Sequence, residues 1–332
     1  MSSVFFADDI ALFGKTPGDL DTLMGITRTF FSNHHLDLSE AKSKVLTCKS
    51  STGKVSFSGS SVLCPVSLEL VLSFKYLGIP LSSSPYSLFK SYNEQVKKKA
   101  KNYLQSVLSL VRSGPDRSEL AFALWTRCAL PSILYGCEIM PLNQGTISEV
   151  ERCQNLVGKF ILQLPRNSSN VVANLDAGLK PVWSIIAERV ILYASKLMKK
   201  PMSYWPRVAL TENINLGNSS PYSRYLMKMK RSTNCFAASI SQTKTNIARA
   251  AVSSVLENQS SSCVSSFAMN MASGAWFLPK PWVNDTPLCK ILAEFRSCNS
   301  GLGNRGPTKD GRFFKLCPLC DAKGVTSLNN EV

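Results

Sequence analysis

Apolar and polar positions alternate in two styles along this chain, and the change of style falls near residue 84. Val4-Phe5-Phe6-Ala7 and Ile10-Ala11-Leu12-Phe13 are short apolar runs separated by Asp8-Asp9, the pattern of two strands and a tight turn. Thr16-Pro17-Gly18-Asp19 then supplies a cap residue, a proline at the first helical position and an acid three residues after the cap. Leu20, Leu23, Met24, Thr27, Phe30 and Phe31 follow on one helical face. Between Lys44 and Leu81 the pattern returns to strands, with Val45-Leu46, Val55-Ser56-Phe57 and Ser73–Ile79 parted by glycines and serines.

After Ser84-Pro85 the spacing becomes helical. Phe89, Tyr92, Val96, Ala100, Tyr103, Val107 and Val111 form an apolar stripe. A helix is expected from about Asp116 through Leu120, Leu124, Trp125 and Cys128, stopping near Pro131. Thr146-Ile147-Ser148-Glu149 reads as a capping box that opens the next helix, through Val150, Leu156, Val157, Phe160 and Ile161. Ile186, Val190, Tyr193, Ala194 and Leu197 mark another. Beyond Pro201 the periodicity weakens, and Gly217–Pro221 and Ser260-Ser261-Ser262 read as loops. The expected class is α+β: an α/β piece, a helical unit over 85–200, a basic loop-rich and helical connector over 201–288, and a Cys-containing segment over 289–332.

Charge narrows the choice of partners. The 332 residues carry 38 Lys and Arg against 22 Asp and Glu, a formal +16, which favours a polyanion. Residues 159–259 hold fourteen of the basic residues and only four acids. No window reaches a membrane-spanning length, and the opening residues lack a secretory pattern, so an intracellular site, nucleus or cytoplasm, is expected. Eleven cysteines without an export signal read as reduced thiols.

Two adjacent carboxylates at a hairpin turn invite two explanations. Asp8 and Asp9 form either a solvated turn or a cation-binding pair, and Mg²⁺ is the cation that takes carboxylates while keeping positions for phosphates. Phe6-Ala7-Asp8-Asp9, flanked by apolar residues, resembles the aromatic-Ala-Asp-Asp motif of reverse transcriptases. Later segments arrive in that family's order. The Thr16–Phe31 helix is similar to one packed under the palm sheet, and Lys42-Ser43-Lys44-Val45-Leu46 to the lysine-bearing stretch after it. Phe74-Lys75-Tyr76-Leu77-Gly78-Ile79 resembles the primer-grip strand of non-LTR (LINE-type) retrotransposon enzymes. Leu130–Glu138 resembles their thumb segment. The likeness covers about residues 2–165.

The resemblance implies the C-terminal part of a right-hand polymerase palm over 1–84 and a thumb over 85–200. Asp8 and Asp9 would then hold Mg²⁺ for nucleotidyl transfer from dNTP onto a DNA primer copied from an RNA template. Lys42 would meet the triphosphate, or else is a solvated loop lysine. Tyr76, Leu77 and Gly78 would hold the primer, Gly78 either for close backbone approach or as a bulge glycine. The family takes its remaining metal-binding aspartate from an upstream strand, whereas five residues precede Phe6 here. The fingers and that aspartate are therefore expected to be missing, and this chain by itself to be inactive. An open-edged hairpin would remain.

Cys317-Pro318-Leu319-Cys320 resembles half of the zinc module that such elements carry, but no His or Cys follows it, so Zn²⁺ is not expected. Lys97, Lys98, Lys99 and Lys101 either track phosphates or form a solvated face. The same choice holds for Lys228, Lys230 and Arg231, with Tyr222 and Tyr225 nearby as stacking candidates. The five tryptophans are expected in cores, and His34-His35 at a helix end. The alternatives to a polymerase fragment are a non-enzymatic RNA- or DNA-binding module derived from a retroelement, or a pseudogene product.

Overall fold

The computed structural model describes residues 3–47, 53–57, 66–111, 117–235, 240–257, 314–316 and 323–325. The fold is mixed α+β, with small sheets in the first part and helices dominating from residue 85. The chain divides into two compact units, residues 1–92 and 93–332.

The first unit opens with an antiparallel hairpin of β1 (Ser3–Phe6) and β2 (Asp9–Leu12). Helix α1 (Pro17–Asn33) follows, and its start is built as the sequence predicts. Thr16 Oγ1 accepts the Asp19 N–H at 3.1 Å while the Asp19 carboxylate accepts the Thr16 N–H at 2.9 Å. Those bonds, the Thr16 backbone N–H foremost, hold the Asp19 carboxyl below its ordinary pKa. The helix ends at His34, whose ring lies 4.3 Å from that of Phe30. Next come β3 (Lys44–Leu46), β4 (Gly53–Phe57) and β5 (Val66–Val71), in the order β3-β5-β4. Strand β3 runs parallel to β5, and Lys44 stands opposite Glu69 with Nζ 2.6 Å from the carboxylate. Met24, Val45 and Leu68 form the buried core of these elements, joined by Leu12, Leu20, Leu38 and Leu70.

The segment Ser73–Ile79, expected as one strand, is instead a second hairpin of β6 (Ser73–Tyr76) and β7 (Ile79–Ser82). Leu77 and Gly78 form its two-residue loop with φ of +47° and +82°. Positive φ at both loop positions matches the right-handed twist of the flanking strands, and glycine takes it without steric cost. Gly78 is thus a turn glycine, not a bulge.

The second unit begins within α2 (Pro85–Val111), whose Val96, Ala100, Val107 and Val111 are buried as the stripe predicts. The next helical run starts with α3 (Arg117–Ala123) and ends at Ile133, near Pro131 as expected, but it is not uniform. It passes through a π-helical turn, Leu124–Ala129, into α4 (Leu130–Ile133). The Leu130 N–H reaches back five residues to the Trp125 carbonyl, so the ladder is already widened where proline offers no N–H.

Helix α5 (Gln144–Ile161) starts earlier than expected. Asn143 is the cap, its side chain accepting the Thr146 N–H at 2.8 Å, and Thr146 is buried inside the first turn. Asn93 fixes the approach to that cap: it donates to the Pro141 carbonyl and accepts from the Asn143 N–H. Gly158 lets α6 (Asn170–Asp176) come close, since a Cβ there would stand 2.9 Å from the Asn174 side chain. Fully buried Gln154 accepts from the Trp125 indole at 3.3 Å and donates to the Lys180 carbonyl at 2.8 Å. It thereby ties the π turn to the start of α7 (Val182–Met198).

Past Pro201 the chain is far more helical than the weak periodicity indicates. Helices α8 (Trp205–Asn215), α9 (Pro221–Thr233) and α10 (Ile240–Glu257) follow. The Gly217–Pro221 stretch is a 3₁₀ turn ending in the Ser220 cap of α9, and Asn234 closes that helix in the left-handed conformation. A short antiparallel pair, β8 (Phe314–Leu316) and β9 (Lys323–Val325), is the last described element.

Candidate functional site

The acidic pair sits at the tip of the first hairpin, one position differently from the expected turn. Phe6 pairs with Asp9, so the two-residue loop is Ala7-Asp8 and Asp9 already belongs to β2. Ala7 accordingly carries φ +52°. Both carboxylates are exposed. Neighbouring residues on a strand point to opposite faces, and Phe5 and Phe6 are 64% and 61% exposed, so both faces of the tip half are bare. At the other end of β2, Leu12 packs on the Met24–Val45–Leu68 core. The hairpin is therefore anchored at its base and free at its acidic tip, as a two-stranded sheet joined to no further described strand.

Asp8 and Asp9 are the residues that could hold Mg²⁺. The donor set suits a partly hydrated ion that still has room for phosphate oxygens. Among the described residues no group of three His, Cys, Asp or Glu side chains is gathered for a metal.

The other candidates of this unit lie on separate pieces. Lys42 is exposed in the turn before β3, with its N–H on the Ser39 carbonyl at 3.2 Å. Its neighbour Lys44 is held by Glu69, which leaves Lys42 as the lysine of that stretch turned to solvent. Tyr76, Leu77 and Gly78 form the tip of the β6-β7 hairpin, and the Tyr76 hydroxyl is buried with no hydrogen-bond partner among the described residues. Neither hairpin joins the β3-β5-β4 sheet.

In the second unit the basic candidates divide. Lys99 donates to the Ser132 carbonyl at 3.2 Å, beside a Tyr103–Ser132 hydroxyl bond, and Lys101 lies 3.7 Å from Glu149. These two have structural partners. Lys97 and Lys98 are in no ion pair among the described residues. On α9, Lys228 and Arg231 are exposed and Lys230 is half-buried. Tyr225 is buried and the Tyr222 hydroxyl is enclosed, its pKa pushed up by burial, so neither offers a face for stacking. Trp125 fills the core as expected, whereas Trp205 is 54% exposed and Trp183 borders a cleft. Cys317 and Cys320 lie outside the described residues.

Sequence patterning does not single out Arg224 or Arg249, nor Trp183 as anything but a core residue. A signal exists for the first. Arg224, Lys228 and Arg231 recur at i, i+4 and i+7, one face of a helix. Among the described residues no helix is long and apolar enough to cross a membrane. Compared with protein-family models, characterised proteins and solved structures, the chain finds no match in any of the three.

Proposed function

We propose that this chain derives from the reverse transcriptase of a non-LTR retrotransposon, with palm residues in its first unit and a thumb-like helical unit after it. The observation that carries the proposal is the hairpin whose tip presents Asp8 and Asp9. It is followed in order by the capped α1, the exposed Lys42 turn and the Tyr76-Leu77-Gly78 hairpin. The bare faces at Phe5 and Phe6 suit a strand pair that packs, in an intact palm, against further polymerase sequence.

Mg²⁺ on the pair would lower the pKa of a primer 3′-hydroxyl and neutralise charge on the leaving pyrophosphate. The chain's own contribution is positional: β2 fixes Asp9 three residues from anchored Leu12, and the tight loop fixes Asp8 beside it. Two exposed carboxylates without the third acid of the family do not set in-line geometry, so these 332 residues alone are expected not to extend a primer. They keep affinity for RNA template and DNA primer through their basic faces.

Primer extension with Mg²⁺ and dNTPs tests this. The purified chain is expected to be silent. Fused behind the fingers and first palm segment of a non-LTR enzyme, it should extend, and Asp8→Ala or Asp9→Ala should reduce extension by at least about a hundredfold. A fusion that binds primer and template yet extends equally well without either carboxylate would overturn the proposal.

A second assignment, a binding module without catalysis, is favoured by one contrast. The acidic pair stands exposed with no third acid gathered to it among the described residues, while the basic helical unit is well packed. Under it, Asp8→Asn with Asp9→Asn leaves the chain's role intact.

A further inference from the structure

A cleft of about 610 Å³ opens between α7, α9 and α10. Trp183 of α7 forms one wall, Arg231 to Asn234 the end of α9, and Asn246, Arg249, Ala250, Ser253 and Ser254 the face of α10. A second hollow of about 460 Å³ continues along α9 through Arg224, Met227, Lys228 and Asn218, and shares Arg231 and Ser232 with the first. No Asp or Glu lines either one. Arg224, Arg231 and Arg249 make no ion pair among the described residues, although four salt bridges form elsewhere among them.

We infer that this groove binds single-stranded nucleic acid, with a base stacked on Trp183, phosphates on Arg231 and Arg249, and the strand continuing past Lys228 and Arg224. Four exposed cations line a concave surface without counter-charge, an arrangement that concentrates anions there. Helix stability accounts for part of it only. Arg231, in the last turn of α9, complements the helix dipole, but Arg249 sits in the middle of α10 and Arg224 in the first turn of α9, where a cation is unfavourable.

Length separates a strand from a lone anion. Arg224 to Arg231 spans about 10 Å along the helix, roughly three nucleotide steps at the 3.4 Å rise of a stacked strand. The indole decides against a duplex, because paired bases expose no face to stack on a tryptophan inside a cleft, whereas single strands combine stacking with a backbone-tracking groove. Asn246 is pinned by its bond to the Asn234 carbonyl at 3.2 Å, which holds α10 against the end of α9 and keeps the groove open.

The inference rests on the nucleic-acid assignment above for its class of polymer, but on different residues, so the two fail separately. The test is fluorescence anisotropy of the full chain with a labelled oligothymidylate, a matching duplex and anionic lipid vesicles, at low and physiological salt. Arg231→Gln with Arg249→Gln should weaken oligothymidylate binding at least tenfold and flatten its salt dependence. Trp183→Ala should cost about tenfold and Trp183→Phe much less. Lys199→Gln with Lys200→Gln, an equal loss of two exposed charges elsewhere, should change binding less than about twofold. Unchanged binding by the double-arginine variant, with parental thermal unfolding, would sink the groove. Duplex or vesicle binding that depends on the same arginines but not on Trp183 would sink the single-strand assignment. Should Trp183→Ala not fold, Trp183→Phe and the arginine pair decide between these outcomes.

Discussion

The two units of this chain bury their apolar residues to very different degrees. In the first, the core of the strands and α1 is Met24, Val45 and Leu68, while Phe5, Phe6, Phe13, Ile26 and Phe30 stand exposed. In the second, Val96, Trp125, Ile133, Val150, Val157, Ile186 and Ile191 are sealed from water, with Gln154 hydrogen-bonded at their centre. Two-stranded hairpins are marginal in water unless something covers a face. A packed helical core stands by itself. The difference teaches that the part carrying the acidic pair depends on company, whereas the basic part does not.

The largest way to break this comparison is Trp125→Ala. It should destabilise the helical unit by ~3–5 kcal/mol and orphan one bond of Gln154. Amide exchange should then quicken throughout residues 93–235 and stay unchanged at Val45 and Leu68. Equal loss of protection in both units would show that the core of the first depends on the second.

Glu151 sharpens the comparison from within the stable unit. Its carboxylate accepts the Val182 N–H at 2.8 Å at the start of α7, yet burial outweighs that bond and pushes its pKa from 4.5 up to about 7. The folded state thus keeps a proton that the unfolded chain releases near 4.5. Its stabilising effect is fully present below that value, is lost as pH rises through about 7, and is flat above. Thermal unfolding from pH 4 to 8 should show the helical unit weakening by on the order of 3 kcal/mol. Glu151→Gln, which keeps an acceptor for Val182, should flatten that slope. A slope that survives the change assigns it to other groups.

The smallest effect belongs to the first unit. Thr16→Ala removes half of the capping box and should cost about 1 kcal/mol. In so thin a core, that should quicken exchange across all of α1 and at Val45, with the helices beyond residue 93 untouched. A change confined to the first turn of α1 would mean that the unit is better packed than its burial indicates.

Legibility follows locality. The α1 cap and the α2 stripe are plain in the sequence because each needs only neighbours within a turn or two. The hairpin tip reads one residue late, since the alternation of apolar residues does not reveal that Ala7 takes a positive φ. Leu77 hides the second hairpin in the same way, being a strand-friendly residue in a left-handed position. Asn143 loses the start of α5 to a more familiar pattern three residues on. Helices α9 and α10 are faint because their buried faces include Tyr225, Thr233 and Thr243, which do not count as strongly apolar. The groove is invisible in principle: Trp183, Arg231 and Arg249 meet only through packing of helices far apart in sequence.

The π-helical turn at Leu124–Ala129 settles a matter of phase. Ala121, Trp125, Ala129 and Ile133 are spaced four apart, and all are buried. In an unbroken α-helix the twelve steps from first to last would swing the final side chain about 120° off the starting line. Absorbing one residue in the wider loop of the turn trims that drift to about 20°, so the row stays on one side. A related chain shorter by one residue here would need no such detour, and a single deletion at exposed Arg127 or Cys128 is the length change this helix is built to forgive.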